Sequence, residues 1–576
     1  MKQQIFRVAL LASILFAAGA QAAGTGIPLR LIAFNDFHGH LEPGNNVLAL
    51  PDPDDPGKTV YVPTGGAPWL AGLIAQLRRE ATHAAVFSSG DLFGAAPLVS
   101  SLFRHEPTIQ VMNAIGLDFG VVGNHEFDAG ADELRRIARG GCGQDAADAA
   151  ATSCATGAYR GAAFQLLAAN VEGSDGRPIF PPLLVKEYGG IKVGFIGVVT
   201  RQTPAIVRRA GILGLSFRDE AATLNRYAAE LKQQGVEAIV AVVHEGGAVG
   251  TQWNDTACAG AQGAIFDIAQ QLSGDIDLVF SAHTHQGYNC VVDTPRQKGL
   301  RVIQATSYGR GVSVVDVLLD PASRDIDRMR TDSRNIAVVN QARGKYAAVP
   351  KDTRVAQLVA EFAELAAPKA NRAVGSIVAG IGSSLPDGSR EPADSAAGRL
   401  IADAQLAATA APDAGGAQLA LMNPGGIRAT LPCATRPPCG VSYGQVFTAQ
   451  PFGNNLVVMT LTGQQLKGLL EDQQKSSAKE ARFLHPSRTL TYTWKRGAGY
   501  GERVADLRLN EVAVTPDVRY RVTVNNFLAE GGDGFRRLLE GSDRSGGMLD
   551  VDALAGFLQT HPGYAPDRNP RIRLAD

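Results

Sequence analysis

The 576-residue chain has almost no net charge: 55 basic against 56 acidic side chains leave −1. Binding a polyanion takes a basic stripe that displaces counterions, and none is visible, so no nucleic-acid polymer is expected as partner. A small phosphorylated ligand needs only a few local cations and stays open. Long apolar runs are also scarce. The candidate at residues 8–18 is too short to cross a bilayer. It sits between Lys2 and Arg7 and the small-x-small site Ala20-Gln21-Ala22, so residues 1–22 read as a secretory signal peptide. No Cys follows that site and the tail at 571–576 is polar, so no membrane anchor is expected after cleavage. Cysteine is sparse, with six in all, and none has the C-x-x-C spacing of a zinc site. An even number in an exported chain favours disulfides. Nearest-neighbour pairing (142–154, 258–290, 433–439) is the simplest of many connectivities. There is no internal repeat. The expected product is soluble and periplasmic or secreted, a monomer or homodimer.

Hydrophobic residues make up 45% and charged residues 19%, the balance of an ordinary globular protein. The length predicts two or more domains. From about 28 to 320, strand-like and helix-like segments alternate. Apolar runs at 29–34, 84–87, 119–122, 164–171, 191–199, 237–243 and 277–280 read as strands covered on both faces. Residues 67–80 read as a helix, 44–66 as a surface loop and 140–162 as an inserted loop with two Cys. Residues 321–350 are charged and irregular. An amphipathic helix follows over 352–367, with Val355, Leu358, Val359, Phe362 and Leu365 on one face, Asp352 capping it and Pro368 ending it. This divides the chain into a first domain (23–340), a connector (341–372) and a second domain (373–576).

Five of the apolar runs end in polar clusters. The first is followed by Asn35-Asp36-Phe37-His38, the next by Gly90-Asp91, and a third by Gly123-Asn124-His125-Glu126-Phe127-Asp128. The last two end in His244 and in His283-Thr284-His285. In extended chain, the i, i+2 spacing of Asp36/His38 and of His283/His285 puts both side chains on one side. A lone His at a strand end is more often a hydrogen-bonded core residue, and Asp128 precedes a helical pattern it could simply cap. Five strand ends carrying only ligand-type groups make coincidence a poor explanation. Oxygen and imidazole donors without thiolate suit zinc, manganese, cobalt or iron rather than calcium. Functional groups at the carboxyl ends of strands are the rule in layered α/β folds.

Asp-x-His, Gly-Asp, Gly-Asn-His-Glu, a later His and His-Thr-His, in that order, resemble the calcineurin-like metallophosphoesterases over about 28–320. The resemblance implies a four-layer α/β/β/α sandwich and two divalent ions (Zn, Mn or Co). Asp36, His38 and His285 would hold one ion and Asn124, His244 and His283 the other, with Asp91 bridging. His125 and Asp128 would form a catalytic dyad. Ala282 stands where the family usually has Gly.

In the second half, Asn423-Pro424-Gly425-Gly426-Ile427-Arg428, Gln450-Pro451-Phe452-Gly453-Asn454 and Phe527 through Asp533 place aromatics and polar groups beside Gly-rich turns. These stretches resemble the substrate domain of the 5′-nucleotidase family, so that the likeness covers nearly the whole mature chain. It implies a separate α+β substrate-binding domain that rotates against the first. Phe452 and Phe527 would stack on the base. Asn423, Asn454 and Asp533 would contact base or ribose, Arg428 the ribose or phosphate, and Arg390 would be a further substrate contact. The expected activity is hydrolysis of nucleoside 5′-monophosphates to nucleoside and phosphate. UDP-sugars, nucleoside di- or triphosphates and 2′,3′-cyclic nucleotides are alternatives at the same site, and a non-catalytic binding protein is a remoter one.

Overall fold

Strand Ala238–His244 is buried along its whole length, and its two faces go to different cores. Val240 and Val242 point into a layer shared with Leu29, Leu31, Phe87, Phe119 and Phe195. Ile239, Ala241 and Val243 point the other way, onto Leu224, Leu231 and Ile265 of two helices. Strand Ile27–Phe34 divides likewise, Leu29, Leu31 and Ala33 on the shared layer and Ile32 and Phe34 under another set of helices. The two-residue period of extended chain therefore builds two sheets packed face to face with helices outside both. The structure, a computed structural model, describes residues 26–575 except 45, 144–151, 383–392 and 475–480. The signal segment 1–22 and Arg390 lie outside the described residues.

The first sheet runs in the order Asp332–Ala337, Gly311–Leu319, Ile27–Phe34, Ala84–Ser88, Phe119–Val121, Gln165–Leu167. Its last four strands are parallel, and the first two are antiparallel additions. The second sheet runs Tyr288–Val292, Leu300–Gln304, Leu278–Ser281, Ala238–His244, Ile191–Val199, Leu183–Tyr188, with a parallel centre and antiparallel edges. The expected α/β/β/α sandwich is thus present, and the parallel strands bring their carboxyl ends to one side.

Four local expectations give way. The stretch 44–66 contains a hairpin, Val47–Asp52 with Asp55–Pro63. Leu50 and Val62 bury against Ala337 and Val339, a small core that the Pro and Asp content conceals. The run 164–171 breaks into Gln165–Leu167 and Val171–Glu172. The irregular stretch 321–350 contains the edge strand Asp332–Ala337. Its inward residues Ser333 and Asn335 are polar and bond to Asn289 and Ser313, so no apolar alternation marks it. The linker helix is Thr353–Ala370 and runs through Pro368. Proline there removes only the bond to the Glu364 carbonyl, which packing of Phe362 and Ala366 outweighs. The Asp352 carboxylate accepts from the Val355 amide (2.9 Å). The buried face is Val355, Val359, Phe362 and Ala366, packed into the first half's core, whereas Leu365 is 47% exposed.

The second half has its own sheet, in the order His485–Pro486, Leu419–Met422, Arg519–Asn525, Asn455–Thr462, Ser542–Leu549. A four-stranded sheet joins it through a common core. Strands Leu419–Met422 and Arg519–Asn525 are parallel, so their carboxyl ends lie together. Disulfides join Cys142–Cys154, Cys258–Cys290 and Cys433–Cys439, the nearest-neighbour pairing, with Cα–Cα distances of 5.4–5.5 Å.

Candidate metal and substrate site

The carboxyl ends of five parallel strands deliver the seven expected ligands to one place. Ligand atoms of Asp36, His38 and His285 lie within 4.8 Å of one another, as do those of Asp91, His244 and His283. Asp91 Oδ2 stands between the groups, 3.1 Å from His244 Nε2 and 3.6 Å from His38 Nε2. Asn124 Oδ1 is 3.1 Å from His244 Nε2. His285 Nε2 is 3.4 Å from Asp36 Oδ1 and 3.2 Å from His38 Nε2.

Backbone groups aim these side chains. His38 Nδ1 bonds the Gly94 carbonyl and His244 Nδ1 the Ser89 carbonyl, both at 2.9 Å. A carbonyl only accepts, so each Nδ1 carries a proton, and each ring in its neutral form turns an Nε2 lone pair inward. The Asp36 carboxylate accepts from the His283 amide at 3.0 Å. Asp91 Oδ1 accepts from the His125 amide at 2.9 Å, leaving Oδ2 for the shared position. Asp36, His38, Asp91, His283 and His285 all have φ between 48° and 72°. Left-handed backbone at non-glycine residues is stored strain that the surrounding fold sustains. Gly123 is required for close approach, since a Cβ there would collide with the Asp91 carboxylate.

The donor set fits divalent cations. Lone pairs of Asp91 Oδ2, Asn124 Oδ1 and His244 Nε2 converge in a buried space, an arrangement that is repulsive without positive charge among them. Burial opposes charge on His244, yet Asp91 and Asp36 hold its pKa up at about 10, so a proton on Nε2 supplies that positive charge where a cation does not. Desolvation works against ionisation of Asp91, but the surrounding imidazoles keep it well below the usual carboxylate range.

Asp128 does not cap the helix that follows it. That helix, Ala131–Arg139, starts from Gly130, and Asp128 instead bonds His125 Nδ1 at 2.9 Å. Burial disfavours the imidazolium, but Asp128 and Asp91 together raise the His125 pKa above its ordinary value.

From the second half, Asn423 follows strand Leu419–Met422 and Phe527 follows Arg519–Asn525. Phe452 and Asn454 lie on the turn before Asn455–Thr462. Asn423 Nδ2 donates to Asp533 at 2.8 Å and Asn525 Nδ2 to Asn423 at 2.9 Å. Gly532 cannot carry a Cβ without striking the Phe527 ring. The Phe452 ring lies over His125 (centroids 5.6 Å, 28°), and the Arg428 guanidinium is 5.9 Å from the centroid of the same Phe452 ring. Buried Nε and Nη2 of Arg428 have no hydrogen-bond partner. One cavity of about 250 Å³ is lined by Asn124, His125, Asp128 and His283 from the first half and by Asn423, Arg428, Phe452, Asn454, Phe527 and Asp533 from the second.

Several residues escaped the sequence reading. Glu126, 2% exposed, accepts amide protons from Asp91 (3.1 Å), Leu92 (2.7 Å), Phe93 (3.4 Å) and Gly123 (2.7 Å), tying two ligand-bearing loops together. Burial and the Asp91 charge push its pKa up to about 8. It stands inside the Gly-Asn-His-Glu signal, and its inward aim is a matter of tertiary structure. Arg208 and Arg482 also line the cavity. Both are arginines on irregular segments, Arg208 beside Arg209, without a pattern to single them out.

Residues 29–287 match the family Calcineurin-like phosphoesterase, and residues 374–540 match 5′-nucleotidase, C-terminal domain. Endonuclease YhcR of Bacillus subtilis is 30% identical over 589 residues, spanning 99% of this chain. Cell wall protein Lmo0130 of Listeria monocytogenes is 32% identical over 550 residues, spanning 90%. The chain covers only 44% and 65% of these two relatives' own lengths. A solved 5′-nucleotidase precursor from Thermus thermophilus aligns with a TM-score of 0.75 at 26% identity, over 95% of this chain and 99% of that one.

Proposed function

Because the chain belongs to the 5′-nucleotidase family and is a metal-dependent phosphoester hydrolase, we propose that it is an exported enzyme releasing phosphate from nucleoside 5′-monophosphates. The observation that carries this reading is the one cavity lined at once by the His125/Asp128 pair and by the two aromatics Phe452 and Phe527.

Asp36, His38 and His285 would hold one divalent ion and Asn124, His244 and His283 the second, with Asp91 shared. When bound, such ions supply Lewis-acid polarisation of phosphoryl oxygens and lower the pKa of an attacking water. The chain's own groups do the rest. Asp128 holds the proton on His125 Nδ1 and favours the imidazolium, so Nε2–H donates to the phosphoryl group or the leaving oxygen. Arg428 brings two unpaired donors to the anion. Phe452 and Phe527 hold the base between their faces, and Asn423, Asn454 and Asp533 contact base or ribose. Base–aromatic stacking contributes about 1–3 kcal/mol per base and tolerates every base.

Nucleoside and phosphate as products from AMP, lost on dialysis against a chelator and restored by manganese, cobalt or zinc, are the expected result. Activity indifferent to chelation removes the metal mechanism. Phosphodiester cleavage is the second reading, favoured by the likeness to a protein named an endonuclease. UDP-sugars, 2′,3′-cyclic AMP and single-stranded DNA in the same panel separate it from the first.

A further inference from the structure

Three arginines line the cavity, and two are engaged near the reacting end. Arg208 donates to the Asp128 carbonyl at 3.0 Å. The Arg428 guanidinium is 5.9 Å from the centroid of the Phe452 ring, which itself lies over His125, so it stands on the metal side. Arg482 is placed differently. Its amide donates to the Gln473 carbonyl and the Leu484 amide donates to Gln473 Oε1, both at 2.7 Å. The backbone is therefore anchored on either side of an exposed side chain. Its neighbours Ala481 and Phe483 pack on the same core that seats Phe527. Arg482 thus enters the cavity from the half that carries both Phe rings.

We propose that Arg482 is a specificity-determining residue that reads the edge of the stacked base and favours oxo bases over amino bases. The inference rests on the cavity being a nucleotide site. A guanidinium offers donors only. Guanine presents two acceptors side by side, O6 and N7, and uracil presents O4. Adenine and cytosine present an amino group at the corresponding position, and a donor facing a donor leaves both unpaired. On the side of the Phe rings, the cavity's other polar groups do not share this donor-only bias. Asn423 donates to Asp533 and accepts from Asn525, and Asn454 donates to Asp550, so the fold sets their orientation; the amides can both donate and accept, and the Asp533 carboxylate only accepts.

The test measures kcat/KM for GMP, IMP, UMP, AMP, CMP and p-nitrophenyl phosphate with the full chain and with Arg482→Gln and Arg482→Met. The wild type should favour GMP, IMP and UMP over AMP and CMP by about tenfold, the discrimination of a single well-placed polar contact. Both variants should bring that ratio within about threefold and leave p-nitrophenyl phosphate unchanged. A wild type that favours AMP or shows no preference overturns the assignment, as does a ratio that survives both substitutions. Equal loss on p-nitrophenyl phosphate would place Arg482 at the phosphate and also overturn it. Cleavage of p-nitrophenyl phosphate with no turnover of any nucleotide defeats the nucleotide reading itself, whereas equal turnover of all five nucleotides defeats only the role of Arg482.

Discussion

The two halves of the molecule hold their functional groups by different means. In the first half, five of the seven expected ligands sit on left-handed backbone, and main-chain carbonyls and amides clamp their outer atoms. In the second, Phe452 is half-buried on a turn and Phe527 half-buried in the single helical turn Asn526–Ala529, and Asp533 alone of the expected contacts among the described residues has positive φ. Cations demand fixed ligand geometry, so strain and burial belong with the ligands. Stacking on a flat ring tolerates displacement along its face, so a turn and a single helical turn suffice for the aromatics.

If that contrast is right, the largest effect belongs to the shared oxygen. Asp91→Ala should lower kcat by about 10³-fold or more and reduce bound metal measured by elemental analysis. Normal turnover with full metal content would refute the shared-ligand assignment. Glu126→Gln comes next. An amide replaces an acceptor that serves four N–H groups, so metal affinity should fall about 10–100-fold, with activity largely regained at saturating metal. A defect that excess metal does not relieve would mean that Glu126 acts on something other than ligand placement. On the turn-borne side, Phe452→Ala should raise KM for nucleotides about tenfold, from the loss of one stacking face, and spare p-nitrophenyl phosphate. The same loss on both substrates would count against stacking. The smallest effect is on stability: Leu365→Ala, on the exposed side of the linker helix, should shift unfolding by less than about 0.5 kcal/mol in a denaturant titration. A change several times larger would show that this face is covered in solution.

The contrast also explains what could be read in advance. The catalytic sandwich was legible because its strands are covered on both faces and so read as unbroken apolar runs, five of them with ligand residues at or just beyond the end. The edge strand Asp332–Ala337 was not, because hydrogen-bonded Ser333 and Asn335 take the place of apolar inward residues. The linker helix showed its period, but Leu365 and Ala366 compete for the same stripe. Only packing against the first core decides for the smaller residue.

Residue order was enough to establish the alternation of strands and helices, the succession of ligand types and the even count of cysteines, since these depend on periodicity and chemistry along the chain. It took the folded chain to make Asp91 Oδ2 the oxygen turned to two imidazoles, to have Glu126 gather amides from two loops, and to lay Phe452 over His125. Each of these depends on groups far apart in the chain meeting within a few ångströms, and nothing local in the order of residues encodes that distance.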